Sequence, residues 1–263
     1  MNCHLRVLGC SGGIGADLRT TSLLLNDHIV IDAGTGVGDL SLDELRKIDQ
    51  VFLTHSHLDH ICSLPFMADA VGGSRKKPLK VYGIYETIHA LQEHIFNNLI
   101  WPDFTKIPDA KNPCISLQSI EVSEPIKLGK ITITALPVDH SIAANAYAIS
   151  SDTGTLVFSG DTGVSEGFWE AVNQQKQLKH LIIETSFLDQ EELLAVISGH
   201  LCPSLLMKEL SKLDPKTCHP EAKIWVCHLK PDGSNAIMQE IEALALQSNP
   251  KPQKLTRNMV LEF

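Results

Sequence analysis

His55-Ser56-His57-Leu58-Asp59-His60 follows the apolar, strand-like segment Gln50 to Thr54 and sets three imidazoles and a carboxylate within six residues. So many polar side chains beside an apolar strand need a strong common partner, because an unpaired buried polar group is costly. In an extended or turning segment His55 and His57 share one side, while Asp59 and His60 swing past the turn. One short loop can then serve two adjacent cations.

Four more strand ends carry metal-capable side chains: Asp32 after Ile31, His140 after Asp139, Asp161 after Gly160 and His228 after Cys227. A lone His or Asp at a strand end is ordinarily structural, so none of these decides anything alone. With the histidine run they describe a nitrogen-rich site and a mixed carboxylate site. Imidazole suits zinc, manganese or iron, and a carboxylate such as Asp161 can bridge two ions. Calcium would call for an all-oxygen shell.

Short strands are expected at His4–Leu8, Thr21–Leu25, Ile29–Asp32, Gln50–Thr54 and Lys80–Tyr85, with helices over Ser41–Ile48 and Leu64–Val71. Ile88, Leu91, Ile95 and Leu99 recur at helical spacing, which predicts a helix over Glu86–Asn98 followed by an aromatic loop to Pro108. The second half predicts strands at 115–122, 130–137, 146–150, 156–159, 181–184 and 223–227. Its helices are expected near 168–174, 203–213 and 236–246. Strands deliver polar clusters at their ends in both halves, the pattern of an α/β sandwich with its site at the strand C-termini. With 263 residues, one domain over residues 1–263 with a helix-loop insertion around 86–108 is expected.

A net charge of −9 argues against a large nucleic-acid footprint. The compact basic cluster Arg75, Lys76, Lys77 and Lys80 reads as a solvated loop. Met1 to Gly13 shows no leader pattern, no run is long enough for a membrane helix, and a cytoplasmic protein is expected. Seven cysteines without CxxC spacing point to buried thiols rather than a disulfide framework. Gly9, Gly12, Gly13 and Gly15 lack the context of a phosphate-binding loop and read as a tight turn. His4, His28, His89, His180 and His219 read as ordinary surface or core residues.

The series HxHxDH, then a distant His, Asp and His, resembles the ligand set of the metallo-β-lactamase superfamily. That resemblance implies a four-layer αββα sandwich. It implies that His55, His57 and His140 hold a first metal, that Asp59, His60 and His228 hold a second, and that Asp161 bridges them. Asp32 matches the family's structural aspartate, which orients the metal loop by hydrogen bonding. Flavodiiron oxidoreductases carry Glu where His57 stands, and thiolate-ligand lactamases carry Cys at the bridging position. A complete set with Asp161 at the bridge resembles the phosphodiesterase-like branches.

Leu8-Gly-Cys-Ser-Gly-Gly-Ile-Gly-Ala16, His94-Ile-Phe-Asn-Asn-Leu-Ile-Trp-Pro-Asp-Phe104 and Glu184-Thr-Ser-Phe187 followed by Gly199-His-Leu201 are similar to class II cyclic-nucleotide phosphodiesterases. After Ser63, Leu64-Pro65-Phe66 departs from the small apolar residues usual there in the family. The resemblance implies a dinuclear hydrolase opening 3′,5′-cyclic nucleotides, cAMP or cGMP, to 5′-monophosphates. Two divalent cations, zinc first with manganese or iron as alternatives, would activate the attacking water. Asp59, His200 and Glu184 are the catalytic candidates, with His200 as proton donor to the leaving 3′ oxygen and Glu184 orienting it. The competing reading of His200 is a helix-start residue satisfying backbone groups. Trp101, Phe104 and His94 are substrate-contact candidates, since aromatic faces stack on bases; core packing competes for the same rings. The partner is then a small cyclic nucleotide, with neither membrane nor nucleic acid expected and a homodimer left open. An RNase Z-like nuclease is the alternative function.

Overall fold

Successive residues of a strand point to opposite faces, and in Ser22–Leu25 both faces are buried. Leu23 and Leu25 join one apolar cluster while Leu24 joins another. A strand of this kind must be covered on both sides. The computed structural model, which describes residues 3–263, meets that need with two sheets packed face to face and helices on both outer sides.

In chain order the strands are β1 (His4–Gly9), β2 (Ser22–Leu25), β3 (Ile29–Ile31), β4 (Gln50–Phe52), β5 (Leu79–Gly83) and β6 (Ile115–Ser119). There follow β7 (Pro125–Leu128), β8 (Ile131–Pro137), β9 (Asn145–Ser150), β10 (Thr155–Phe158), β11 (Leu178–Glu184), β12 (Cys218–Cys227), β13 (Pro252–Lys254) and β14 (Val260–Glu262). One seven-stranded sheet has the order β14-β1-β2-β3-β4-β5-β6, the other β13-β12-β11-β10-β9-β8-β7. Strands β3 to β6 are parallel neighbours, as are β10 to β13. Ligand sites in such sheets lie beyond the carboxyl ends of parallel strands, and β3, β4, β10, β11 and β12 all end there.

The helices are α1 (Leu42–Lys47), α2 (Leu58–Ile61), α3 (Leu64–Gly72), α4 (Tyr85–His94), α5 (Glu166–Asn173), α6 (Glu192–Ser198), α7 (Pro203–Leu210) and α8 (Ser234–Leu244). Leu45, Met67 and Leu91 bring α1, α3 and α4 onto the outer face of the first sheet. Trp169, Leu206 and Ile241 bring α5, α7 and α8 onto the second. Between the sheets, Phe52 meets Tyr147 edge to face at 5.6 Å. This is the expected four-layer sandwich. Helix α1 begins with a capping box, Ser41 Oγ accepting from the Glu44 amide while the Glu44 side chain accepts from the Ser41 amide.

Several boundaries differ from expectation for local reasons. Helix α4 stops at His94 rather than Asn98 because Asn97 Oδ1 accepts from the Leu99 and Ile100 amides and Asn98 turns left-handed at φ +63°. Helix α6 escapes periodicity because it buries only Ala195 and leaves Leu193 and Ile197 exposed. The three-residue strands β13 and β14 are too short to announce themselves. Arg75 is more than a solvated charge: it donates to Ile48 O at 2.6 Å and Asp49 Oδ1 at 2.9 Å. All seven cysteines are free, with Cys3, Cys202 and Cys227 buried. Among the described residues no single helix is long and apolar enough to cross a membrane.

Helices α5 and α7 are locked by the buried carboxylate of Glu209, which accepts from Trp169 Nε1 at 2.7 Å and Ser165 N at 3.1 Å and pairs with Lys212 Nζ at 2.6 Å. Glu209→Leu would leave the Trp169 and Ser165 N–H groups unpaired in the core. A loss of about 2–5 kcal/mol is expected in urea unfolding, against a smaller loss for Glu209→Gln, which can still accept both bonds.

Candidate active site

Strand β3 delivers Asp32, which turns left-handed at φ +56°, a conformation Asp tolerates better than most residues. Its fully buried carboxylate accepts from Thr54 N and Thr54 Oγ1, each at 2.8 Å, and from His60 Nδ1 at 2.7 Å. Thr54 Oγ1 has thereby spent its proton and accepts from His55 Nδ1 at 3.0 Å. One carboxylate orients two imidazoles, His60 directly and His55 through a hydroxyl.

Beyond β4 the chain runs extended through His57, the residue capping α2, and the single turn of α2 carries Asp59 and His60 inward. His140 follows β8, and its Nδ1 donates to Gly199 O at 2.7 Å. Gly199 ends α6 at φ +70°, where a Cβ would sit 2.6 Å from Ser141 N and 2.9 Å from His140 Cα. His228 follows β12 at φ +58°, with Nδ1 2.9 Å from Ser186 Oγ. Four imidazoles thus use Nδ1 on an outer partner, which leaves Nε2 facing inward.

The inward atoms converge. His57 Nδ1 lies 3.0 Å from His55 Nε2 and 3.1 Å from His140 Nε2. Asp161 Oδ2 lies 3.3 Å from both His60 Nε2 and His228 Nε2 and 3.7 Å from His55 Nε2. Asp59 Oδ2 is 3.2 Å from His228 Nε2. Three imidazole nitrogens meeting at one point cannot all be satisfied by one another's protons, and buried His60 Nε2 has no hydrogen-bond partner. Divalent cations would satisfy both conditions, so the donor set fits them. The groups His55, His57, His140, Asp161 and Asp59, His60, His228 each bring their ligand-capable atoms within 4.8 Å of one another, as do Asp161, His200 and His228.

Electrostatics favour the same use at His55, His57 and His140, whereas at His60 burial is outweighed by Asp161 and Asp32, which raise its pKa. Burial, reinforced by the neighbouring imidazoles, pushes His55 well below the usual histidine range and lowers His57 and His140, keeping them neutral and able to coordinate. Burial opposes ionisation of Asp161, yet His228 and His60 hold its carboxyl well below the usual range. Asp59 is lowered in the same way, the His228 contact outweighing burial.

Glu184, at the end of β11, is fully buried and receives His200 Nδ1 at 2.7 Å. The sequence-predicted catalytic pair is therefore in contact, beside the metal-capable cluster: the rings of His200 and His140 lie 5.0 Å apart. The aromatic candidates fare differently. Phe104 is a core residue packed with the α1, α3 and α4 layer, so its expected stacking role gives way to packing. His94 is exposed at the end of α4. Trp101 is half-buried and meets Phe66 of α3 edge to face at 5.0 Å, so the loop after α4 folds back over α3. Sequence reasoning missed Thr54, Ser186 and Gly199. Thr54 adjoins His55 and Ser186 lies two residues past Glu184, but hydroxyls are too common to signal by position.

Gly199→Ala is expected to displace His140, because backbone lies where the new methyl must go. Metal affinity measured by chelator competition should fall about 10–100-fold, the range for a lost supporting contact.

A family model described as the beta-lactamase superfamily domain matches residues 27–221. The chain is 25% identical to a probable 3′,5′-cyclic-nucleotide phosphodiesterase of Yersinia pestis, over 85% of this chain and 77% of that protein. It is 27% identical to a 3′,5′-cyclic-nucleotide phosphodiesterase of Aliivibrio fischeri, over 85% of this chain and 80% of the relative. The crystal structure of unliganded yeast PDE1 superposes with a TM-score of 0.80 at 21% identity, covering 100% of this chain and 99% of that one. At that identity the superposition speaks for the fold. The family match spans both halves of the sandwich and six of the seven metal-capable residues, so the chain belongs to the β-lactamase superfamily.

Proposed function

We propose that the protein is a metal-dependent phosphodiesterase that hydrolyses 3′,5′-cyclic nucleotides to nucleoside 5′-monophosphates. The observation that carries this reading is the Glu184–His200 pair, 2.7 Å apart and set against a cluster of seven metal-capable side chains. Relatives named for that activity along most of their length support it.

On this reading His55, His57 and His140 would hold one cation and Asp59, His60 and His228 a second, with Asp161 a candidate ligand to both. Zinc suits the nitrogen-rich donors best, with manganese and iron as alternatives. When bound, the cations supply Lewis acidity toward the phosphoryl group and lower the pKa of a coordinated water. Asp59, with its side chain 31% exposed, faces the open side of the cluster and can orient an incoming water.

His200 moves the second proton. Its Nδ1–H is held by Glu184, so Nε2 is the atom left to serve the leaving group. Burial disfavours the imidazolium, but Glu184 outweighs it and the pKa of His200 is raised, which favours a proton donor near neutral pH. Water passes a proton to the Asp59 carboxylate as its oxygen bonds to phosphorus, the bond from phosphorus to O3′ breaks, and O3′ takes the proton from Nε2. Seven unpaired thiols accord with a reducing, cytoplasmic site of action.

Metal-replete protein offered cAMP, cGMP, a tRNA precursor and bis-p-nitrophenyl phosphate should open a cyclic nucleotide, and chelation should abolish turnover until metal is restored. Hydrolysis of only the last two substrates would overturn the assignment. His200→Ala should retain metal while kcat falls about 10²–10⁴-fold, the usual contribution of a general acid. Unchanged kcat at saturating substrate would remove His200 from the mechanism.

A further inference from the structure

The two halves of the site are built on one plan. In the first, Asp32 holds His60 directly and His55 through the Thr54 hydroxyl. In the second, Glu184 holds His200 directly at 2.7 Å, and Ser186 Oγ stands between Glu184 Oε2 at 3.1 Å and His228 Nδ1 at 2.9 Å. We infer that Ser186 is a positioning residue that fixes the His228 imidazole for metal binding and ties it to the Glu184–His200 pair. The inference rests on the reading of the site as a metal-dependent hydrolase.

Ser186 has one proton and, fully buried, four polar neighbours: Glu184 Oε2, His228 Nδ1, His200 Nδ1 at 3.3 Å and His228 O at 3.3 Å. Its proton belongs on the carboxylate, the strongest acceptor among them. Donating instead to His228 O would leave Glu184 Oε2 without that donor. With the proton on Oε2, a lone pair of Oγ receives Nδ1–H of His228. The tautomer follows: His228 Nε2 carries a free lone pair directed toward Asp59 and Asp161, at 3.2 and 3.3 Å. His200 has no need of the hydroxyl, since its own Nδ1–H already meets Oε1.

Glu184 is thereby divided, one oxygen serving the proton donor and the other, through Ser186, a metal ligand. The backbone fixes the relay, because the Ser186 amide donates to Leu201 O at 3.0 Å, next to His200 itself. Loss of the hydroxyl frees the His228 ring and strips Glu184 Oε2 of a donor at once, so metal retention and proton donation should suffer together.

The test uses the full chain stripped of metal and titrated with zinc against a competing chelator, for wild type, Ser186→Ala and Ser186→Thr, with melting curves to confirm folding. Expected for Ser186→Ala is about 10–100-fold weaker binding of one of two zinc equivalents with the other unchanged. Cyclic-nucleotide kcat should fall with a smaller change in KM, and Ser186→Thr should recover both properties. Folded Ser186→Ala that binds both equivalents like wild type would overturn the inference, as would equal losses in the alanine and threonine variants. Zinc titration needs no substrate, so a wild type that binds zinc without opening cyclic nucleotides would sink the activity assigned above and leave the role of Ser186 intact.

Discussion

The buried carboxylate of Asp32 is the constraint on which the metal loop depends. A charge removed from water is tolerable only when donors replace the water, and here three do: two from Thr54 and one from His60. Each donor does a second job. The Thr54 amide fixes the chain just past β4, the Thr54 hydroxyl accepts from His55, and the His60 ring is turned so that Nε2 faces Asp161. The left-handed turn at Asp32 makes this possible, because an extended backbone would continue the alternation of β3 and commit the side chain to one face of the sheet. A backbone conformation, a buried charge and the aim of two imidazoles are one arrangement.

Neither sheet alone contains the site. His55, His57, Asp59 and His60 follow β4 in one sheet, whereas His140, Asp161 and His228 follow β8, β10 and β12 in the other. The donors meet because the inner faces of the sheets meet, and Phe52, Tyr147, Phe158 and Trp225 set that separation. Gathering imidazoles and carboxylates without solvent is unfavourable, and the apolar cores between and outside the sheets supply the opposing free energy. A change in the inter-sheet core is therefore also a change in the distance between the two halves of the donor set.

The sequence disclosed the donors because each interrupts an apolar run at a strand end, where a polar residue without a partner would be costly. It disclosed the sandwich because short apolar strands recur between helices in both halves. It did not disclose Thr54, Ser186 or Gly199. Their roles depend on what lies opposite them in space, 22 residues away for Thr54 and Asp32 and 42 for Ser186 and His228. The aromatic insertion was misleading for a related reason. Composition identifies Phe104 as large and apolar, but only its place beside Phe96 and the bond from the Ile115 amide to its carbonyl put its ring in the core.

Charge at the centre bears on the kind of ester the site suits. Asp32, Asp59, Asp161 and Glu184 bring four negative charges to it, and the coordinating imidazoles are neutral as ligands. On the proposed reading two divalent cations would balance those four carboxylates, and the proton that His200 donates would be a single positive surplus. A phosphodiester carries one negative charge and is matched by that single surplus, whereas a monoester carries nearly two near neutral pH. On the same reading the product of cyclic-nucleotide opening is such a monoester, and it would form as His200 gives up its proton. Once the protons released by the reaction leave the site, a dianionic product would face the centre without that surplus, which would favour its release. The overall charge of −9 does not oppose this reading, since bound cations would dominate the field within the site.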